Sequence, residues 1–182
     1  MGNNHFNVDK SKAVLLYIAK QLGKVDLHKL FKILYFAEKK HLSIYGRLIV
    51  NDTYFAMKNG PVPSYIYDIL KAIKGQGLVL KEVHDSFSAA FEYLDNNTII
   101  AKEDPNMDYL SQSAISCLTE SIFENKDLCF NTLSDKSHDI AWNNPRPDNS
   151  MDMYKIALAA DANIEMLKYI SEVEENRNLE FV

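Results

Sequence analysis

Leu27–Leu70, LHKLFKILYFAEKKHLSIYGRLIVNDTYFAMKNGPVPSYIYDIL, is the stretch whose reading decides the fold. Asp26 is placed to cap a helix in which Leu27, Leu30, Phe31, Leu34, Tyr35 and Leu42 recur at steps of three and four. Lys29, Lys32, Glu38, Lys39 and Lys40 fall mostly between them, which predicts one buried and one solvated face. Gly46 is the natural left-handed stop, with Lys39, Lys40 and His41 complementing the negative end of the helix. From Leu48 to Met57 the residues turn β-branched and aromatic, predicting two short extended segments around Asn51-Asp52. Asn59-Gly60-Pro61 reads as a turn, because Gly tolerates positive φ and Pro61 fixes its own. Pro63 starts a helix to about Ile73, where a missing amide hydrogen costs nothing, and Gly75 and Gly77 close it.

Working outward, Asp9 or Ser11 caps a first helix that runs to Leu22 and stops at Gly23. On the far side, Leu78–Val83, Phe87–Leu94 and Thr98–Lys102 read as three strands of an antiparallel meander. A helix over Asp108–Asn125 follows, then another over Cys129–Asp139, a proline-rich loop at Asn143–Pro147, and helical periodicity from Met151 to about Glu175. A break near Asp161 interrupts this last stretch. The expectation is an α+β fold, predominantly α-helical, with a small antiparallel sheet of about three strands in one domain over residues 1–182.

A chain of 182 residues is long enough to bury a core without a metal or disulfide staple. Cys117 and Cys129 make neither a metal pattern nor a disulfide framework, which fits a reducing cytoplasm. No apolar run reaches the roughly 18 residues a membrane span needs, and Met1-Gly2-Asn3-Asn4 is no secretory start. Charge is unevenly placed: residues 1–91 carry a net +6 and residues 92–182 a net −11, for −5 in all. Mutual attraction of the two halves inside one folded unit is the plain reading of that asymmetry. The acidic total argues against a general nucleic-acid binder.

His138, Asp139 and Trp142, with Ser134, Asp135 and Ser137 close by, are the first candidates for chemistry. No nucleophile elbow surrounds them, and residues this close on one helix do not build a triad. His28, His41 and His84 are too scattered to complete a metal site, and one Gly at position 60 is no phosphate loop. No catalytic group, metal or cofactor is expected. Helices followed by strands also allow a winged-helix DNA-binding regulator, yet the prospective wing, 84–97, carries Asp85, Glu92 and Asp95 and no Lys or Arg. The aromatic density at Tyr45, Tyr54, Phe55, Met57, Tyr65 and Tyr67 suits protein recognition instead.

Lys29-Leu30-Phe31-Lys32-Ile33-Leu34-Tyr35-Phe36-Ala37, followed by His41-Leu42 and Tyr45-Gly46-Arg47, resembles the Panacea domain of bacteria and their phages. So does Thr53-Tyr54-Phe55-Ala56-Met57-Lys58-Asn59-Gly60-Pro61-Val62-Pro63. Leu133-Ser134-Asp135 with His138 and Trp142 is similar to that family's second signature, and the resemblance runs in order over about residues 10–170. It implies an antitoxin-like protein that neutralises a co-encoded toxin by direct protein–protein contact. A proteolytic adaptor delivering its toxin to an AAA+ protease is the alternative the same resemblance implies. No catalytic residue is carried over. Leu34, Tyr35, Phe36, Tyr45, Gly46, Gly60, Pro61, Val62, Pro63, His138 and Trp142 are expected to be mostly structural. Partner contact is expected from Tyr54, Phe55, Met57 and Tyr65.

Overall fold

The computed structural model describes residues 6–179, so the reading of Met1–Asn4 lies outside the described residues. Helix α1 (Val8–Leu22) is capped by Asn7, whose Oδ1 accepts from the Lys10 amide at 2.9 Å, ahead of both expected caps, Asp9 and Ser11. A two-residue strand, β1 (Val25–Asp26), leads into α2 (Leu27–Tyr45). Asp26 caps α2 through the Lys29 amide at 2.9 Å, and Gly46 ends it at φ 67°.

Helix α2 departs from its expected two-faced character: every residue from Phe31 to Glu38 is buried. The reason is that apolar clusters lie on both of its sides. Leu30, Ile33, Leu34 and Ala37 belong to a core shared with α1, the sheet and later helices. Tyr35, Phe36 and Leu42 belong to a second core built with Tyr54, Leu133, Met151, Ile156 and Ile170. Lys32, Glu38 and His41 are consequently buried rather than solvated.

Strands β2 (Tyr54–Met57) and β3 (Gly60–Pro63) form an antiparallel hairpin, pairing Phe55 with Val62 and Met57 with Gly60. The turn is therefore Lys58-Asn59, and Gly60-Pro61, expected in the turn, is the start of a strand. Prolines fit there because a two-strand ladder uses the amides of alternate residues only, and Pro61 and Pro63 occupy the positions that need none. The expected strand before Asn51-Asp52 is absent; the Glu38 carboxylate takes the amides of Ile49 and Val50 and holds that segment as a loop. Helix α3 (Ser64–Ile73) follows directly. Its first-turn amides at Tyr65 and Ile66 are met by Asp52, at 3.1 and 2.9 Å.

The meander is corrected. Lys81–Ala90 is a helix, α4, because Val83, Phe87 and Ala90 fall at helical steps of four and three and all three are buried. Strands β4 (Phe91–Tyr93) and β5 (Thr98–Ala101) remain, and the third strand is β1, giving the antiparallel order β1-β5-β4. A 3-10 turn at Met107–Tyr109 precedes α5 (Gln112–Asn125), which is capped by Ser111. Then come α6 (Phe130–Ser137), α7 (Ile140–Asn143), α8 (Met153–Leu158) and α9 (Ile164–Leu179), with the break at Asp161 standing at φ 55°. The protein is thus α+β and mostly helical.

The charge asymmetry is consumed partly inside the fold. Lys12–Glu103, Lys20–Asp104, Lys39–Asp139 and Lys40–Glu120 each join the basic half to the acidic half. Among the described residues, no helix is long and apolar enough to cross a membrane.

Candidate functional site: the hairpin and its seat

The two sequence signatures, some seventy residues and more apart, meet at one place, the β2–β3 hairpin. Three of the hairpin's carbonyls are received by side chains drawn from three helices, α2, α6 and α7. Trp142 of α7 donates its Nε1–H to Met57 at 2.8 Å. His28 of α2 and Ser134 of α6 lie 3.3 and 3.4 Å from the Asn59 carbonyl and 2.9 Å from each other. Lys32 of α2 donates to Pro61 at 2.9 Å. The Lys32–Pro61 bond is buried, and a buried carbonyl left without its donor would cost about 1–3 kcal/mol, so this contact above all fixes where the hairpin sits.

Gly60 is required twice over. Its φ is 102°, a conformation L side chains rarely adopt, and an added Cβ would lie 2.2 Å from Ser137 Oγ and 2.7 Å from Lys32 Cε. The backbone passes between α2 and α6 at that point, and only hydrogen fits. Gly46 meets a similar limit, since its Cβ would lie 2.6 Å from the Tyr169 ring on α9. Pro61 and Pro63 are buried beside Gly60, with Val62 partly so.

The seat is itself braced from α2. Asp139 accepts from Tyr35 Oη at 2.8 Å and from Lys39 Nζ at 3.1 Å, while its other oxygen caps α7 through the Ala141 and Trp142 amides. The position of the Trp142 indole is therefore tied, through Asp139, to the middle of α2. His138 stacks on Trp142 with ring centroids 3.7 Å apart and planes 10° apart, and its Nε2 is buried without a hydrogen-bond partner. Burial lifts the Tyr35 phenol well above its usual range, with Asp139 adding to the shift. Lys32 is only 1% exposed, and burial brings its ammonium down to about 8. Burial also lowers His28, and the nearby Lys32 cation lowers it further. Glu38, fully buried, is pushed up to about 7 by desolvation, opposed by the Val50 and Ile49 amides it accepts.

Leu34 lies in the first core, and Tyr35 and Phe36 in the second. Tyr45 is 45% exposed and rests against His41, with centroids 4.7 Å apart. Of the aromatic positions expected at a partner surface, Tyr54 is only 1% exposed and packs on Tyr35, so a docked protein cannot reach it. Tyr65 is half-buried, edge-on to Phe6 at 4.6 Å. Phe55 lines a recess of about 460 Å³ on one side of the hairpin, with Val62, Tyr67, Asp68 and Lys71. Met57 stands 45% exposed at the hairpin tip. On the other side, a cleft of about 480 Å³ lies between the tip and α2, with Phe130 of α6 also in its wall.

Sequence reasoning missed Lys32, Glu38 and Asp52 as fixed structural groups. Each is a charged residue inside or beside an apolar run, and Lys32 between Phe31 and Ile33 is the one such signal visible beforehand. Among the described residues, no three His, Cys, Asp or Glu side chains are grouped to hold a metal ion.

What fold and seat define is a helical protein whose most constrained feature is a rigidly mounted hairpin. The family model of the antitoxin SocA-like Panacea domain matches residues 30–143, well over half of the chain, and the chain belongs to that family. The match runs from within α2 through α7 and so contains the hairpin with every group that seats it except His28; it is shorter than the 10–170 span of the motif resemblance. No curated protein and no solved structure matches the chain.

Proposed function

We propose that this protein neutralises a co-encoded toxin by binding it directly, with the hairpin tip as part of the contact. Membership of the antitoxin-like family carries the reading. The mounting of the hairpin supports the place: Met57 and Lys58 are held outward on a backbone fixed at three carbonyls, so little ordering is needed on binding. The charged groups described above are engaged in holding backbone, as Asp52, Glu38 and Asp139 are, and this favours a binding role over catalysis.

The test is co-expression with the product of the adjacent gene. Growth restored by this chain, together with a complex that co-purifies, is the expected result; an adjacent product harmless on its own overturns the reading. A pulse-chase of the same partner separates direct neutralisation from the adaptor alternative. Under direct neutralisation the partner's half-life is unchanged or longer when this chain is present, and a shortened half-life establishes delivery to a protease instead.

A further inference from the structure

The cleft between the hairpin tip and α2 holds positive charge without a matching carboxylate. Lys32 sits in its wall, almost wholly buried, and its one hydrogen bond is to a neutral carbonyl, that of Pro61. Lys58 stands exposed at the rim and makes no ion pair among the described residues. His28 completes the polar side, with Nδ1 buried and unpartnered and its ring stacked on Phe130 at 3.8 Å. Asp26 is the cleft's one carboxylate, and its Oδ1 is engaged in capping α2 through Lys29. Buried cations ordinarily keep a carboxylate beside them, because desolvation is otherwise uncompensated. Lys58 also borders the recess beside Phe55, but there two carboxylates, Asp68 and Asp148, share the lining and Lys71 is paired with Asp68 at 2.8 Å; the larger hollow by Phe36 has Lys39 paired with Asp139 and Lys136 with Glu124. Phe31, Val62 and Phe130 give the hairpin cleft an apolar wall facing these cations.

We propose that this cleft receives an acidic segment of the protein partner, an aspartate or glutamate set against Lys58 and Lys32 with a neighbouring aromatic or aliphatic side chain against Phe130 and Val62. The assignment rests on the proposed function for its partner and on the unmatched charge for its chemistry. Binding would supply the carboxylate that the folded chain lacks, and charge complementarity of this kind selects partners and speeds encounter.

Two experiments decide it. Phenylacetate, an acid with an aromatic body, is titrated against the full chain while the indole N–H resonance of Trp142, its sole tryptophan, is followed. The amide phenylacetamide serves as the neutral control. A saturable shift in the millimolar range is expected for the acid. It should be about fivefold weaker for the amide and for Lys58→Glu, the worth of one charge pair near a surface. Equal shifts from acid and amide, or no shift from either, overturn the cleft. In the second experiment, Lys58→Glu and Met57→Asp are each expected to weaken binding of the co-encoded toxin about tenfold with Tm unchanged. Undiminished affinity in both overturns the location while leaving direct neutralisation standing. A wild-type chain that binds no toxin, yet still prefers the acid, overturns the proposed function and this partner with it, and is told apart by that preference.

Discussion

Toward α1 and α5, helix α2 presents Leu30, Ile33, Leu34 and Ala37; toward the hairpin, the loop before it and α7, it presents Lys32, Tyr35, Glu38 and Lys39. Both sides are buried, but different physics holds them. The first gains stability from apolar area, at roughly 25 cal/mol per Å², and tolerates exchange of one apolar shape for another. The second gains little net stability from each contact and loses much when one partner is removed, because the other is left buried and unsatisfied. One side secures the fold; the other fixes where the hairpin lies.

The sharpest way to break the second side is Gly60→Val. Strain at φ 102° and collision with Ser137 and Lys32 should together cost roughly 4 kcal/mol, read as a lowered urea midpoint at constant m. Leu34→Ala tests the first side and should cost about 3 kcal/mol through the cavity it leaves. The two variants differ in what else changes. Leu34→Ala should leave the Trp142 indole resonance in place, whereas Gly60→Val should move it, since the Met57 carbonyl shifts with the hairpin.

Stability as a function of pH sharpens the comparison further. The folded-state value of Lys32, about 8, lies below its ordinary 10.5, so between those values the unfolded chain binds more protons than the folded one. Stability from this group is therefore present above 10.5, and is lost as pH falls through 8, by on the order of 3 kcal/mol. Urea titrations across this window should show wild type gaining stability relative to Lys32→Met as pH rises. Parallel curves would show that the buried ammonium is not the cause. Glu38 acts in the other direction and in another window, its contribution present below 4.5 and lost as pH rises through about 7. The smallest effect belongs to Trp142→Phe, which keeps the stacking ring but removes one donor from the Met57 carbonyl. It should cost about 1 kcal/mol in the same titration.

The same division explains what was readable beforehand. The boundaries of α2 and its apolar positions were legible, because Asp26, Gly46 and three-and-four spacing act locally. Burial of Lys32 and Glu38 was not, because it depends on how the hairpin at Pro61 and the loop at Ile49-Val50 fold back over α2. The bond from Tyr35 to Asp139 spans 104 positions and leaves no periodic trace. Leu78–Ala90 reads as strand for a related reason, although the end of the second expected strand does form β4 at Phe91–Tyr93. Val83 and Phe87 fit short strand windows as well as a helix face, and only packing against α1 and α3 decides between them. At the site, the Gly60-Pro61-Val62-Pro63 signature was visible and its constraint on shape was foreseen, but its strand character was not. A strand holding two prolines is credible only once its neighbours are known.

That strand has a consequence for how anything can attach here. Many recognition proteins capture a partner by letting it lie alongside a sheet as one more strand, backbone against backbone. The β2–β3 hairpin is closed to this on both margins. Beside β3, Pro61 and Pro63 offer no amide, and the Pro61 carbonyl is already held by Lys32. Beside β2, the Ala56 amide donates to the Asn149 carbonyl, and the Tyr54 carbonyl accepts from Met151. Self-association through this edge is blocked by the same occupancy. Whatever meets the hairpin must be recognised residue by residue, through its side chains.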